Sequence, residues 1–161
     1  GLEISKEKLN QLVEILNNDW DVIFTVWPLD NPPKHRLCSY IFGKALQQSN
    51  YQGQVALYAV HTNLLPNFYS DISSQLDKKH ELLNYYGSQL KSQNYSHMSK
   101  GMDAWNSRFL EVSPEERYIE VFMKIPAEAY NDFQDIYEKA NTKKLFKSHD
   151  ACIKSFNSLK K

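Results

Sequence analysis

Two short runs of β-branched and aromatic residues, with a helix-like segment between them, constrain the fold more than any other feature. Trp20–Trp27 is one such run, and it ends at Pro28 before a loop rich in Asp, Asn and Pro. Gln54–Val60 is a nearly continuous apolar run, which is typical of a strand that is covered on both faces and central in its sheet. Between them, Arg36–Gln48 has apolar residues at helical spacing. This alternation predicts a sheet with helices packed against it.

Further helices are predicted on either side of this alternation. Ser5–Asn18 carries an apolar stripe, with Ser5 in the position of an N-cap. The stretch from Pro66 to Leu90 repeats apolar residues every three or four positions, which predicts one long amphipathic helix, with an interruption at Gly87 as the alternative. Residues 92–101 have little apolar content and no periodicity, so we expect them to form a mobile connection.

The segment Ser107–Ile125 supports two interpretations. The sequence SPEE at 113–116 is typical of a helix start, whereas the apolar residues from Ile119 to Ile125 alternate strictly, as in a strand. The proline after Ile125 favours the strand, because a residue before proline is pushed out of the helical region. We therefore expect a strand here, paired as a hairpin with Arg108–Val112 around the SPEE turn.

Two C-terminal helices complete the predicted architecture, one from Pro126 to Ala140 and one from Lys143 to Leu159. The order of elements is then αβαβαββαα. This order predicts an α+β fold in which helices cover a small mixed four-stranded sheet. With 161 residues, the chain is expected to form one globular domain over 1–161.

The composition of the chain argues against several classes of protein. The 19 basic residues balance 19 acidic ones, so the formal net charge is +0, which argues against a dedicated nucleic-acid-binding protein. No apolar run approaches the roughly 18 residues of a membrane-spanning helix, and no cleavable leader is recognised. The two cysteines are far apart in the chain, which favours a reducing compartment. We expect a cytoplasmic protein, and delivery into another cell stays an open alternative.

Cys38 is the candidate catalytic nucleophile. It falls in the first turn of a predicted helix beside basic residues, and helix N-terminal amides and cations stabilise the reactive thiolate. His61 or His97 is the candidate base, and Asp103 is the candidate orienting acid. Because no cysteine-enzyme signature accompanies Cys38, a buried structural thiol is the competing interpretation.

Lys34, His35 and Arg36 form a candidate anion-binding site. They follow a proline-rich loop at the start of a predicted helix, where backbone N–H groups add to the attraction for phosphate. The guanidinium of Arg36 offers a bidentate fork, and arginine is rare in this chain. No glycine-rich phosphate loop accompanies these residues, so a solvated basic corner is the alternative.

Charge is distributed unevenly toward the C-terminal end. Residues 139–161 hold seven lysines and one aspartate, whereas residues 111–138 hold eight acidic and two basic residues. Such a surface favours a protein partner and, more weakly, an anionic membrane. Tyrosine is also common in protein interfaces. The candidate partner-binding residues are Tyr85, Tyr86, Tyr95, Lys143, Lys144 and Lys147.

These features predict an interaction or regulatory domain that binds a protein partner without catalysis. The alternative is a hydrolase or transferase that depends on Cys38. No cofactor is expected. No metal site is expected either, because His149 and Cys152 share a helical spacing but have no second ligand pair.

Overall fold

A computed structural model describes residues 4–112 and 114–133, and it has the expected α+β class with a four-stranded mixed sheet. The described α-helices are Lys6–Leu16 (α1), Pro33–Leu46 (α2), Leu76–Asn84 (α3), Gly87–Leu90 (α4) and Tyr95–Asn106 (α5). The described strands are Val22–Val26 (β1), Gln54–Tyr58 (β2), Phe68–Asp71 (β3) and Ile119–Pro126 (β4). Short 3-10 turns occupy Ser73–Gln75, Ser107–Phe109 and Ala127–Tyr130.

The order of strands in the sheet is β1-β2-β4-β3. Strands β1 and β2 are parallel, with Phe24 opposite Ala56, and α2 is the crossover that joins them. Strand β4 runs antiparallel to β2, with Met123 opposite Leu57. The central position predicted for the apolar run at 54–60 is therefore confirmed.

The chain divides into two compact units. The first unit comprises residues 1–65 and 122–161, and the second comprises residues 66–121. One globular domain over 1–161 stays a prediction.

The core of the first unit lies where α1 and α2 pack on β2. The predicted N-cap of α1 is confirmed, because the Ser5 hydroxyl accepts a hydrogen bond from the N–H of Lys8 at 3.3 Å. Val55, Ala56 and Leu57 of β2 are all buried, so both faces of this strand are covered, as the continuous apolar run predicts. The buried core residues are Leu16, Phe42, Ala45, Leu46, Tyr51, Val55, Leu57, Ala127 and Tyr130.

The second unit relies on polar contacts between α3, α5 and β4. The ammonium of Lys79 lies 2.6 Å from a carboxylate oxygen of Asp103 and 2.7 Å from one of Glu120. The Nδ1 atom of His80 and the hydroxyl of Ser96 are 2.6 Å apart. These contacts connect α3 to α5 and to β4.

The structure corrects the predicted hairpin. Strand β4 confirms the alternation before Pro126, but Arg108–Val112 is not its partner strand. Ser107–Phe109 is a 3-10 turn, and β4 pairs with the remote strand β2. The apolar residues of β4 are thus matched to a strand far away in the sequence, which a local pattern does not reveal.

Two further predictions in the middle of the chain are wrong. The predicted long helix after Pro66 begins instead as β3 and becomes helical only at Ser73. The predicted connection at 92–101 contains the start of α5, which Asn94 caps by accepting from the N–H of His97 at 3.0 Å. After β4 the chain forms a 3-10 turn, and most of the two predicted C-terminal helices lies outside the described residues.

Candidate functional site

A buried carboxylate lies just past the ends of the parallel strands β1 and β2. Asp30 is 0% exposed, in the loop that the prolines after β1 create. One of its oxygens is 2.7 Å from Nδ1 of His35, at the start of α2. The other accepts hydrogen bonds from the N–H of His61 at 2.9 Å and from the hydroxyl of Thr62 at 3.2 Å. Asp30 therefore joins three segments of the first unit.

The hydrogen bonds keep this carboxylate ionised. Burial raises the pKa of Asp30, but the hydrogen bonds from His35, His61, Asn31 and Thr62 outweigh it and hold the pKa below its usual value of 3.8. An ionised Asp30 fixes the orientation of the His35 ring and leaves its Nε2 atom directed away from the carboxylate.

Arg36 has a structural role rather than the predicted anion-binding one. The side chain is 1% exposed, and its Nη1 atom donates to the backbone carbonyls of Asp30, at 2.8 Å, and of Asn31. The anion-site prediction is therefore wrong for Arg36, because its charge is used to hold the loop. His35 contacts Asp30, and Lys34 lies exposed at the surface.

Cys38 lies on α2 one turn after His35, and it is exposed. The alternative of a buried structural thiol is therefore wrong. Burial raises the pKa of the Tyr58 hydroxyl, and the charges of Cys38 and Asp30 raise it further. The ring centroids of His35 and His61 are 5.7 Å apart. Cys38 lies in the helix that follows β1, and His61 lies in the loop that follows β2, so both belong to the first unit. Their joint action in catalysis stays a prediction.

The other two predicted catalytic residues belong to the second unit. Asp103 is 4% exposed, and it accepts hydrogen bonds from Lys79 at 2.6 Å and from Ser99 at 3.4 Å. Burial raises its pKa, although the Lys79 ammonium opposes this shift. Asp103 therefore does not orient a histidine, and His97 is exposed at the start of α5. Asp30 is an acid that does contact a histidine, and the sequence analysis did not single it out; its signal was an acid in the loop after a strand and five residues before a histidine.

The most unusual surface in the second unit lies on α5. The helix buries polar side chains, with Asp103 at 4% and Asn106 at 5% exposure. Large apolar side chains at spacings of four, three and four residues are exposed by 42% to 65%. We call these four side chains the α5 stripe: Met98, Met102 and Trp105 on α5, and Phe109 in the 3-10 turn that follows it.

The ion pairs of the second unit explain this inverted helix. Asp103 faces inward because the ammonium of Lys79 compensates its charge, and Glu120 supports Lys79 from the other side. Fixing Asp103 inward turns the apolar residues of α5 outward, because residues three and four positions apart share a helix face.

Arg108 lies directly on the α5 stripe. Its guanidinium carbon is 4.7 Å from the ring centroid of Trp105 and 4.3 Å from that of Phe109. Its Nη1 atom donates to the carbonyl of Trp105 at 2.8 Å, and the side chain stays exposed. The stripe therefore has a positioned cation at one end.

The predicted partner-binding tyrosines differ in exposure. Tyr85 and Tyr86, at the end of α3, are 78% and 63% exposed. Tyr95 is half-buried at the start of α5. The remaining residues predicted to contact a partner or considered as metal ligands lie outside the described residues: Lys143, Lys144, Lys147, His149 and Cys152.

The described residues show neither a metal-ligand cluster nor a membrane-spanning helix. Within the described ranges, no group of three His, Cys, Asp or Glu side chains is arranged to hold a metal ion. None of the helices in residues 4–112 and 114–133 is both long and apolar enough to cross a membrane. No protein-family model matches the chain, and no curated protein matches it.

Proposed function

We propose that the chain is a protein-interaction domain that binds its partner through the α5 stripe. The observation that carries the proposal is the inverted burial of α5, which buries Asp103 and exposes Trp105 at 65%. Contiguous exposed apolar surface on a protein commonly marks an interaction site. The earlier expectation of a protein partner is kept, and its location moves from the charged C-terminal surface to the second unit.

The residue types in the stripe suit a binding surface. Methionine is flexible and polarisable, so Met98 and Met102 adapt to partners of different shape. Tryptophan is enriched among the residues that dominate binding energy, and Trp105 is the most exposed member of the stripe. A cytoplasmic setting is part of the proposal, and the two widely separated cysteines support it.

Introducing charge into the stripe should remove binding without unfolding the protein. We expect the double variant Met98→Lys/Met102→Lys to recover at least about tenfold less partner protein than the wild type, because buried apolar contacts become charged ones. The measurement is quantitative mass spectrometry of proteins that copurify with the tagged chain from its own cells.

The matched control is Gln89→Lys/Gln93→Lys. It adds the same charge at the same four-residue spacing to exposed polar positions, and it should leave recovery unchanged. Urea unfolding should give the wild-type midpoint for both double variants. A stripe variant that still binds its partner, or one that unfolds at clearly lower urea, would contradict the proposal.

We also propose, as a second candidate, a thiol-dependent reaction at Cys38 with His35 as its base. The observation that favours it is the 2.7 Å contact between Asp30 and Nδ1 of His35, one helical turn before the exposed thiol. Enzymes with a catalytic triad use the same arrangement, in which an acid orients an imidazole and the imidazole activates a nucleophile. His35 then replaces His61 and His97 as the base.

Alkylation of Cys38 tests this candidate directly. In a Cys152→Ser background, we expect His35→Gln to slow iodoacetamide alkylation at pH 7 by about tenfold, because the thiolate loses its proton acceptor. The rate is read by mass spectrometry of the peptide that contains Cys38. His97→Gln is the control and should leave the rate unchanged. Equal rates in the wild type and the His35 variant would exclude His35 as the base.

A further inference from the structure

The α5 stripe contains two of the three methionines of the chain, Met98 and Met102. Each side chain is 48% exposed, and their spacing of four residues places them on one face of α5. The third methionine, Met123 of β4, is half-buried and packs against the core of the first unit. The thioethers that a dissolved oxidant reaches most easily are therefore those of the proposed binding surface.

From this arrangement we infer that Met98 and Met102 are oxidation sites, and that hydrogen peroxide switches off binding at the α5 stripe by converting them to methionine sulfoxide. The inference rests on the proposed function and adds its regulation. Methionine sulfoxide is polar, whereas methionine is apolar, and enzymes reduce it back to methionine. The modification is therefore suited to a reversible switch.

The reaction needs only the thioether and the peroxide. A lone pair of the sulfur attacks one oxygen of the peroxide, so that an S–O bond forms and the O–O bond breaks. The departing hydroxide takes the proton of the transferred oxygen and leaves as water. The sulfur is oxidised by two electrons, and the peroxide is reduced by two.

A sulfoxide changes the polarity of the stripe and leaves its charge the same. The oxygen on sulfur accepts hydrogen bonds, and burying it against a partner that offers no donor costs free energy. The helix is held by contacts on another face, where Asp103 accepts from Lys79 at 2.6 Å. Those contacts do not involve the methionines, so we expect α5 to stay folded while its apolar surface becomes polar.

The first test is the rate of oxidation of each methionine in the folded chain. Trypsin places the three methionines on separate peptides, 92–100, 101–108 and 118–124, so mass spectrometry reads each rate independently. Hydrogen peroxide should oxidise Met98 and Met102 at least about fivefold faster than Met123, because oxidation follows exposure. The three rates should become similar in urea. Equal rates in the folded chain, or a faster reaction at Met123, would overturn the inference.

The second test is the recovery of partner protein by the oxidised full chain. The tagged chain is treated with hydrogen peroxide and then with dithiothreitol, which reverses sulfenic acids and disulfides at the cysteines and leaves methionine sulfoxide in place. It should then recover at least about tenfold less partner than the untreated chain, measured by quantitative mass spectrometry. Treatment with methionine sulfoxide reductases A and B together should restore recovery.

Two variants assign the effect to the stripe. Met98→Leu/Met102→Leu keeps apolar side chains of similar volume, so it should bind the partner and keep binding after peroxide. Met123→Leu is the matched control and should lose binding on oxidation as the wild type does. Far-UV circular dichroism should show the same helix content before and after oxidation. Loss of binding by the oxidised leucine double variant would overturn the inference.

Full oxidation of the stripe also separates this inference from the proposed function. If Met98→Lys/Met102→Lys abolishes recovery of the partner while complete oxidation of both methionines does not, the α5 stripe is the binding surface but the oxidative switch is wrong. If the lysine variant still recovers the partner, both proposals fail, whatever the oxidation rates.

Discussion

Replacing Tyr130 by alanine is expected to lower the free energy of unfolding by about 4 kcal/mol, because it removes a fully buried aromatic side chain from the core. Tyr130 is 0% exposed, and its ring meets that of Phe42 edge-on at a centroid distance of 5.0 Å. Its hydroxyl donates to the carbonyl of Ser39 at 2.9 Å and lies 2.5 Å from the Ser39 hydroxyl. Urea unfolding followed by far-UV circular dichroism measures the loss.

Two variants separate packing from hydrogen bonding. Tyr130→Phe keeps the ring and should cost about 1 to 2 kcal/mol, because the polar groups of Ser39 lose a buried partner. Tyr85→Ala is the control, because it makes the same tyrosine-to-alanine change at a position that is 78% exposed. It should change the free energy of unfolding by less than about 0.5 kcal/mol. Similar losses for Tyr130→Ala and Tyr85→Ala would show that Tyr130 is not part of the core.

The same residue predicts a loss of stability in alkali. Burial raises the pKa of Tyr130 above its usual value of 10.0, although the Ser39 hydroxyl opposes the shift. The folded state therefore holds its proton more firmly than the unfolded state, so stability is full below pH 10 and declines as the pH rises above it. Tyr130→Phe should remove this part of the pH dependence.

The first half of the fold could be predicted from the sequence, because the sequence patterns that define its elements are local. The Ser5 cap, the leucine stripe of α1 and the apolar run of β2 each act within a few residues, and each is found where it was expected. The proline-rich loop before α2 was also recognised, although the helix begins at Pro33 rather than after it. A proline at the first helical position is compatible with this start.

The second unit was harder to predict from the sequence, because its helix α5 buries polar side chains and exposes apolar ones. Periodicity analysis assumes that apolar side chains face inward, whereas α5 buries Asp103 and exposes Met102. The compensating charge comes from Lys79, which is 24 positions earlier in the sequence. No local pattern links those two residues, so the polar face of α5 looked like the composition of a loop.

The candidate site could be predicted only in part, because only some of its residues have a local signal in the sequence. Cys38 was predicted from its place near the start of a helix beside basic residues, and His61 from its place at the end of an apolar strand. The helix follows β1 and the strand is β2, and these two strands are parallel neighbours. Asp30 was overlooked because acids are common in turns that follow prolines. Its importance depends on donors from α2 and from the loop after β2, which only the folded chain brings together.

Replacing Asp30 by alanine should cost about 3 kcal/mol of unfolding free energy, because it leaves the N–H of His61 and the hydroxyl of Thr62 without their shared acceptor. Asp19→Ala is the matched control, since Asp19 is exposed in the same unit, and it should be close to neutral. The measurement is again the urea midpoint and slope. A neutral Asp30→Ala variant would show that the loop does not depend on this carboxylate.

The pH dependence identifies the charge of Asp30 as the stabilising feature. Because hydrogen bonds hold its pKa below 3.8 in spite of burial, the folded state binds its proton less readily than the unfolded state. Its contribution is therefore full above pH 3.8 and is lost as the pH falls through the lower folded value. Asp30→Asn keeps the acceptor for His61 but has no charge to titrate, so its stability relative to the wild type should improve as the solution is acidified. An unchanged difference between the two proteins from pH 7 to pH 3 would mean that geometry, and not charge, is what Asp30 contributes to this edge of the sheet.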